Sequence, residues 1–174
     1  MDLKTLQKSL KEQYRSDAST SRVTVTAKSD QVESPIACSI DIGRAMYRAE
    51  AHAGVGGAGT GACSGDLLLG ALAACAQITC QMVASAMGIR TERIQVTVQA
   101  DLDLRGTLGI SKEVPVGFEG IHVSFDVVAP EATADQLRGL REKTEQYCVV
   151  MQTLLRPPSV QTEWLQNSRA AESV

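Results

Sequence analysis

Aromatic side chains are scarce in this 174-residue sequence, and its 17 basic residues are fewer than its 20 acidic ones. It holds one Trp, three Tyr and two Phe, so a ligand pocket is expected to be lined by aliphatic side chains, methionine and alanine. The formal net charge is −3 and the pI is about 5.4. This balance argues against nucleic acid or an anionic membrane surface as the main partner.

A secretory signal is also lacking, because the N-terminal residues carry scattered charges and no continuous apolar block. The five cysteines are an odd-numbered set. Together these features predict a reducing, cytoplasmic location, in which thiols stay free. The cysteines are therefore expected to be buried residues, metal ligands or redox groups rather than a disulfide scaffold.

The length predicts one domain, residues 1–174, that is large enough to bury a core. Within the N-terminal segment 1–20, apolar residues at helical spacing predict an amphipathic helix over residues 2–16. Alternation of apolar and polar residues then predicts three strands, at 23–27, 36–42 and 43–51.

A long uncharged segment is the most unusual feature of the chain. The 23 residues between Asp66 and Arg90 carry no charge, and a helix is predicted with Ser64 as its N-cap and Gly88 at its C-terminal end. A membrane span needs about 20 apolar residues. Polar residues and many alanines and glycines interrupt this segment, however, and alternating strands lie on both sides of it. A helix buried in a soluble domain is therefore predicted, and no membrane partner.

The same segment predicts a second copy of the chain as a partner. A helix that is apolar nearly all round is normally buried on every side. One sheet and one further helix barely cover such a helix in a chain of this length. Small residues such as Ala71, Ala73 and Ala74 permit close helix approach, so an intimate homodimer interface is expected.

The C-terminal half predicts an antiparallel strand pair followed by a helix. Residues 93–104 and 121–127 alternate strictly between apolar and polar side chains. A helix is predicted from about residue 132 until Pro157 and Pro158, with a final short strand at 159–164. The predicted fold class is α+β, with antiparallel sheet on one side and helices on the other.

The glycine-rich loop before the central helix suggests a cofactor or metal site only superficially. Gly54–Gly59 matches G-x-G-x-x-G, but the β-α-β context and the acidic residue of a dinucleotide site are missing. His52 and Cys63 have none of the usual spacings of metal ligands. A mobile loop is expected here, without a cofactor or a metal.

The sequence resembles the OsmC/Ohr superfamily of osmotically inducible and organic hydroperoxide resistance proteins, over about residues 40–164. Two motifs carry the resemblance. DLLLGALAAC (66–75) opens the central helix and ends at Cys75, and a second cysteine, Cys148, lies in EQYCVVMQTL (145–154). The resemblance implies an intertwined homodimer with two sites at the subunit interface. In peroxidase members, the cysteine matching Cys75 attacks the peroxide, the one matching Cys148 resolves the sulfenic acid, and a lipoyl-type dithiol reduces the disulfide.

The chain departs from the peroxidase pattern in its activating residues. Gly65 stands where peroxidases carry a Glu, the first hairpin has no arginine, and CVV replaces Cys-Pro after the second cysteine. Cys75 lies three turns into its helix, so the helix dipole is not expected to activate it. Arg44 is the predicted thiolate-stabilising cation, with Arg48 as the nearest substitute, and Asp66 is expected to fix Arg44 or a neighbouring amide.

Two functions remain open at this point. The first is thiol-dependent reduction of organic hydroperoxides by Cys75 and Cys148, with an apolar pocket built from Leu68, Leu72, Met82 and Met151. The alternative is a non-catalytic OsmC-like dimer that acts in a stress response or binds a small apolar molecule. Cys38, Cys63 and Cys80 are read as buried or minor thiols, and whether the protein is an enzyme stays undecided.

Overall fold

The computed structural model describes residues 3–31, 37–43 and 45–165. It confirms the α+β class. The helices are α1 (Leu3–Ser16), α2 (Ser64–Met87), α3 (Leu104–Thr107), α4 (Ala134–Tyr147) and α5 (Val149–Leu155). The strands are β1 (Lys28–Gln31), β2 (Ala37–Asp41), β3 (Met46–Glu50), β4 (Arg93–Asp101) and β5 (Gly120–Val128).

The N-terminal strands form an antiparallel three-stranded sheet in the order β1-β2-β3. The strand predicted at 23–27 is wrong, because the sheet begins only at Lys28. Val23 and Val25 lie outside it and are 84% and 90% exposed. Alternation stabilises a strand only where a neighbouring strand pairs with it. Residues 38–41 of β2 pair with residues 28–31, and segment 23–27 has no partner strand in the described chain.

Helix α2 follows the sequence pattern closely. Cys63 rather than Ser64 is its N-cap, and Ser64 is its first helical residue. Gly88 ends the helix in the left-handed conformation, with φ +67°, which glycine adopts without a steric penalty. The predicted boundaries of the central helix are therefore confirmed to within one residue.

Strands β4 and β5 form the predicted antiparallel pair, with Val96 opposite Phe125. Side chains of β4 alternate between half-buried and exposed along its whole length. The strand stops at Asp101, three residues before the predicted end. Asp103 instead caps the short helix α3, where its carboxylate accepts the N–H of Arg105 at 3.0 Å.

The C-terminal helix is broken, which the sequence analysis did not predict. Cys148 has extended backbone angles, with φ −71° and ψ 107°, and separates α4 from α5. The strand predicted at 159–164 is also wrong, because these residues are irregular and exposed.

The core forms where α2 packs against β4 and α4. Cys80, Val83, Ala84, Ile89 and Leu140 make up one buried cluster. The second cluster, here called the thiol cluster, consists of Leu72, Ala76 and Cys148, with half-buried neighbours that include Cys75, Val150 and Met151.

One side of α2 remains uncovered in the single chain. Ala71, Ala74, Ile78 and Met82 are exposed and follow one another at helical spacing. By length and composition alone, α2 could cross a membrane, and 28% of its most apolar window is buried. Packing within one chain therefore covers only part of the apolar surface of α2.

Candidate functional site

The structure brings Cys75 and Cys148 together. Cys75 lies in the middle of α2, and Cys148 occupies the break between α4 and α5. Both belong to the thiol cluster: Cys148 is one of its buried members, and Cys75 packs against it half-buried. Cys148 is fully buried, whereas Cys75 is partly exposed. Cys75 is therefore the one that a reagent from solution reaches first.

Three hydrogen bonds hold the break at Cys148. The Cys148 N–H donates to the Thr144 carbonyl at 3.0 Å, and the Gln152 N–H donates to the Cys148 carbonyl at 2.9 Å. The Gln152 side chain donates from Nε2 to the Glu145 carbonyl at 2.8 Å. In the described chain, no main-chain carbonyl accepts the N–H groups of residues 149–151. These three donors are free to face the thiols.

The surroundings shift the pKa values of the Cys75 and Cys148 thiols in opposite directions. Burial, the largest influence on Cys75, acts to raise its pKa, but hydrogen bonds outweigh it and the pKa is lowered. Their donors are the Val150 N–H, the Cys148 thiol, the Thr79 hydroxyl and the Val149 N–H. Burial raises the pKa of Cys148, and the neighbouring Cys75 raises it further. Cys75 is thus the thiol that ionises first.

Sequence reasoning missed these amide donors. It excluded the dipole of α2 and required a cation from elsewhere in the chain. Within the part of the chain that the structure describes, no cation is among the groups that shift the pKa of Cys75. The one sequence signal was the valine that follows Cys148, because valine keeps the peptide N–H that proline would lack.

Arg44, the predicted cation, lies outside the described residues. Arg48 is on β3, where its charge lowers the pKa of Glu50 in addition to larger effects from hydrogen bonds. The assignment of a cation to Cys75 therefore stays a prediction.

Asp66 lies in the first turn of α2, nine residues before Cys75 and about 13 Å from it along the helix axis. Its Oδ2 accepts the N–H of Cys63 at 2.9 Å. That amide, then the Cys63 thiol, and more weakly the charge of His52, lower the pKa of Asp66 against the opposing effect of burial. Asp66 therefore holds the start of α2, and its catalytic role stays a prediction.

Gly65, at the position of the peroxidase Glu, faces an aromatic ring. A Cβ atom at Gly65 would lie 3.2 Å from the ζ-carbon of Phe118 and 3.5 Å from Sγ of Cys63. A glutamate here would meet the Phe118 ring within a tight contact distance, so the ring must shift to admit it.

The glycine-rich loop is held by Glu50 at the end of β3. The Glu50 carboxylate accepts the N–H of Gly61 at 2.6 Å and that of Thr60. Gly57 is required for a different reason: a Cβ atom there would overlap the carbonyl oxygen of Ala51 at 1.6 Å. The loop is thus tied to the N-terminal sheet just before α2 begins.

An apolar cavity of about 800 Å³ lies beside the thiol cluster. Residues of α2, β5, α4 and α5 line it: Leu72, Cys80, Ile121, Val123, Phe125, Val127, Leu137, Leu140, Arg141, Thr144, Glu145, Met151, Leu154 and Leu155. Two of the four residues predicted to form an apolar pocket, Leu72 and Met151, line this cavity. Leu68 and Met82 do not line the cavity; each is 40% exposed elsewhere on α2.

Solved structures with a similar fold share little sequence with this chain. The structure of an OsmC-like protein from Mycoplasma pneumoniae superposes with a TM-score of 0.64 at 14% identity, over 78% of this chain and 89% of that chain. An organic hydroperoxide resistance protein from Elizabethkingia anophelis gives 0.58 at 20% identity, over 78% and 91%. One from Legionella pneumophila gives 0.56 at 18% identity, over 76% and 89%.

Comparison with curated proteins gives no match. The family model described as OsmC-like protein matches residues 57–163, more than half of the chain. That range contains α2 and both cysteines of the thiol pair. The chain therefore belongs to the OsmC-like protein family.

Proposed function

We propose that this protein reduces organic hydroperoxides, with Cys75 as the attacking thiolate and Cys148 as the resolving thiol. The thiol pair is the observation that carries the proposal, because Cys75 and Cys148 lie in one cluster and Cys75, the partly exposed member, has the lowered pKa. Two structures of similar fold belong to proteins named for organic hydroperoxide resistance. At 20% and 18% identity they support the fold, and the thiol pair supports the chemistry.

The reaction balances within the thiol pair and one external reductant. The Cys75 thiolate attacks the terminal oxygen of R–O–O–H, the O–O bond breaks, and the R–O⁻ that leaves takes a proton to become the alcohol. Cys75 is now a sulfenic acid. Cys148 attacks its sulfur, water leaves, and a disulfide forms. A dithiol, such as a lipoyl group, then reduces that disulfide by exchange, as a reducing cytoplasm allows.

The adjoining cavity supports an apolar substrate. Its two charged lining residues, Arg141 and Glu145, pair with each other at 3.0 Å, so they offer little net charge to an anionic ligand. The Thr144 hydroxyl is buried without a hydrogen-bond partner of good geometry in the described chain. The Cys80 thiol beside it is only a weak partner. A largely apolar molecule with one oxygen group suits this lining.

A homodimer is part of the proposal. The exposed stripe on α2 is apolar and is formed by Ala71, Ala74, Ile78 and Met82. Its two alanines have small side chains, which favours close packing of a second helix. A second copy of the chain supplies such a helix without a further partner.

Titration with one equivalent of cumene hydroperoxide tests the chemistry. The five free thiols should fall to three, with a Cys75–Cys148 disulfide in the peptide map and one equivalent of cumyl alcohol. In Cys148→Ser, dimedone should trap a sulfenic acid at Cys75. Cys38→Ser, which alters a thiol on β2, is the matched control. Five remaining thiols, or a disulfide between other cysteines, would overturn the proposal.

The cavity also favours a second candidate function, in which the protein binds a small molecule and does not convert it to a product. Cys75 is not among the residues that line the cavity, so a ligand held there need not touch the thiol. In Cys75→Ser, undiminished binding of cumyl alcohol together with negligible peroxide consumption by the wild type would favour this function.

A further inference from the structure

Thr144, in the last turn of α4, carries a hydroxyl that the described fold leaves without a hydrogen bond. The residue is 1% exposed, and its Oγ1 atom has no partner in the part of the chain that the structure describes. A threonine inside a helix can bond the carbonyl one turn back, and the Thr144 hydroxyl does not do so. A buried hydroxyl without a partner lowers the stability of the fold. A bound molecule that supplies the partner would restore that stability.

The cavity of about 800 Å³ is where such a molecule can bind, because Thr144 is among the residues that line it. Its volume lies within the range of about 300–1,000 Å³ that is typical of small-molecule sites. Apart from Thr144, the only lining residues that are not hydrocarbon or thioether side chains are Cys80, Arg141 and Glu145. The cavity therefore pairs a large apolar surface with very few polar groups.

The other three groups leave Thr144 as the polar contact inside the cavity. Arg141 Nε donates to Glu145 Oε1 at 3.0 Å, and these side chains are 79% and 47% exposed, so their charges cancel and are solvated. Burial raises the pKa of Cys80, so its thiol is uncharged and only a weak partner for a hydroxyl. The lining therefore suits a molecule without a net charge.

We propose that Thr144 determines which ligands the cavity accepts: its hydroxyl holds the single hydroxyl or hydroperoxide group of an uncharged, otherwise apolar molecule. A threonine hydroxyl both donates and accepts, which matches either group. The inference deepens the proposed function and rests on it for the conversion of the ligand. Binding itself needs no reaction at Cys75, which does not line the cavity. Thr144 also holds the resolving cysteine, because its carbonyl accepts the Cys148 N–H at 3.0 Å.

Thr144→Val tests the anchor, because it replaces the hydroxyl by a methyl group of similar size. Cumyl alcohol should bind this variant about five- to tenfold more weakly than the wild type, since one hydrogen bond is lost. Cumene, which has the same ring and methyl groups but no hydroxyl, should bind the variant at least as tightly as the wild type. NMR titration of the reduced protein measures both dissociation constants, and the methyl signals of Leu72, Val123 and Leu137 should shift if the ligand occupies the cavity.

Two further variants separate the lost hydroxyl from other effects. Thr144→Ser keeps the hydroxyl and should bind cumyl alcohol more tightly than Thr144→Val does. Thr97→Val removes a hydroxyl from an exposed position of β4 and should change neither dissociation constant. The anion 4-isopropylbenzoate should bind the wild type more weakly than cumene, and tighter binding would contradict an uncharged ligand.

The stability of the ligand-free protein gives an independent readout. Thr144→Val should leave the urea midpoint unchanged or raise it, because no internal hydrogen bond is lost. A lower midpoint would mean that the fold itself uses the hydroxyl, against the inference. Equal affinity of cumyl alcohol for the wild type and Thr144→Val, or no binding up to its solubility limit, would overturn it. These measurements use no peroxide, so they are independent of the thiol titration that tests the proposed function.

Discussion

The two halves of this chain differ in how much of their apolar surface they bury. From α2 to α5, a core of buried residues joins one helix, a strand pair and the broken C-terminal helix. Among the residues of α1 and β1–β3 whose side chains the structure describes, only Ala49 and Glu50 are buried. Met46 and Tyr47 of β3 are 72% and 49% exposed.

This contrast separates what one chain can position from what it leaves open. The thiol pair lies wholly in the well-packed half, where residues of α2, α4 and α5 position it. The N-terminal sheet and the outer side of α2 expose apolar side chains that a second copy of the chain would cover. Glu50 connects the halves, because it ends β3 and holds the loop that leads into α2.

Removing core volume from the C-terminal half should give the largest loss of stability. Leu140 on α4 is 3% exposed and packs against Cys80 and Val83 of α2 in one buried cluster. Leu140→Ala is expected to lower the free energy of unfolding by about 2–5 kcal/mol, through lost burial and the cavity that remains. Urea unfolding at fixed protein concentration measures this value.

Leu108→Ala is the matched control, because Leu108 is 50% exposed just after α3. Its cost should stay within about 0.5 kcal/mol. Equal costs for the two leucines would contradict the division between a packed core and an exposed surface.

Charge on the exposed side of α2 should break the proposed dimer with a smaller effect on the fold. Ala74→Arg places a cation in the middle of the apolar stripe, where a second helix would have to bury it. Light scattering should show the mass halved, while the circular dichroism of the helices changes little. Ala134→Arg, on the exposed start of α4, should keep the wild-type mass. A wild-type protein with the mass of a monomer in light scattering would refute the dimer.

Acid should weaken the junction between the halves by the smallest amount. The pKa of Glu50 lies below its ordinary value of 4.5. The Gly61 N–H lowers it most, and the Thr60 N–H and the Thr60 hydroxyl lower it further, against the opposing effect of burial. A lowered folded-state pKa means stability that is present above pH 4.5 and is lost as the pH falls through the folded value. Glu50→Gln should therefore flatten the dependence of the urea midpoint on pH below 4.5. An unchanged slope would remove Glu50 as the acid-sensitive contact.

The sequence predicted the elements whose signals are local. The uncharged run and Gly88 define α2, and strict alternation defines β4 and β5, since each pattern depends only on neighbouring residues. The prediction of a strand at 23–27 was wrong because strand formation depends on which distant segment pairs with it. The break at Cys148 was not predicted, because apolar residues keep helical spacing across it, at Leu140, Met151 and Leu154.

Within the candidate site, the sequence predicted the cysteines but not their surroundings. The family resemblance selected Cys75 and Cys148, and the structure places them in one cluster. The amides of Val149 and Val150 were missed because a backbone donor leaves no mark on residue type. The closeness of Phe118 to Gly65 was missed because 53 residues separate them in sequence.

Steady-state consumption of cumene hydroperoxide with dihydrolipoamide as reductant tests the central claim most directly. The wild type should turn over, Cys75→Ser should lose all activity above the buffer rate, and Cys148→Ser should stop after about one turnover. Cys38→Ser should match the wild type. Consumption that continues unchanged in Cys75→Ser would contradict the account, because the thiol pair would then not carry the reaction.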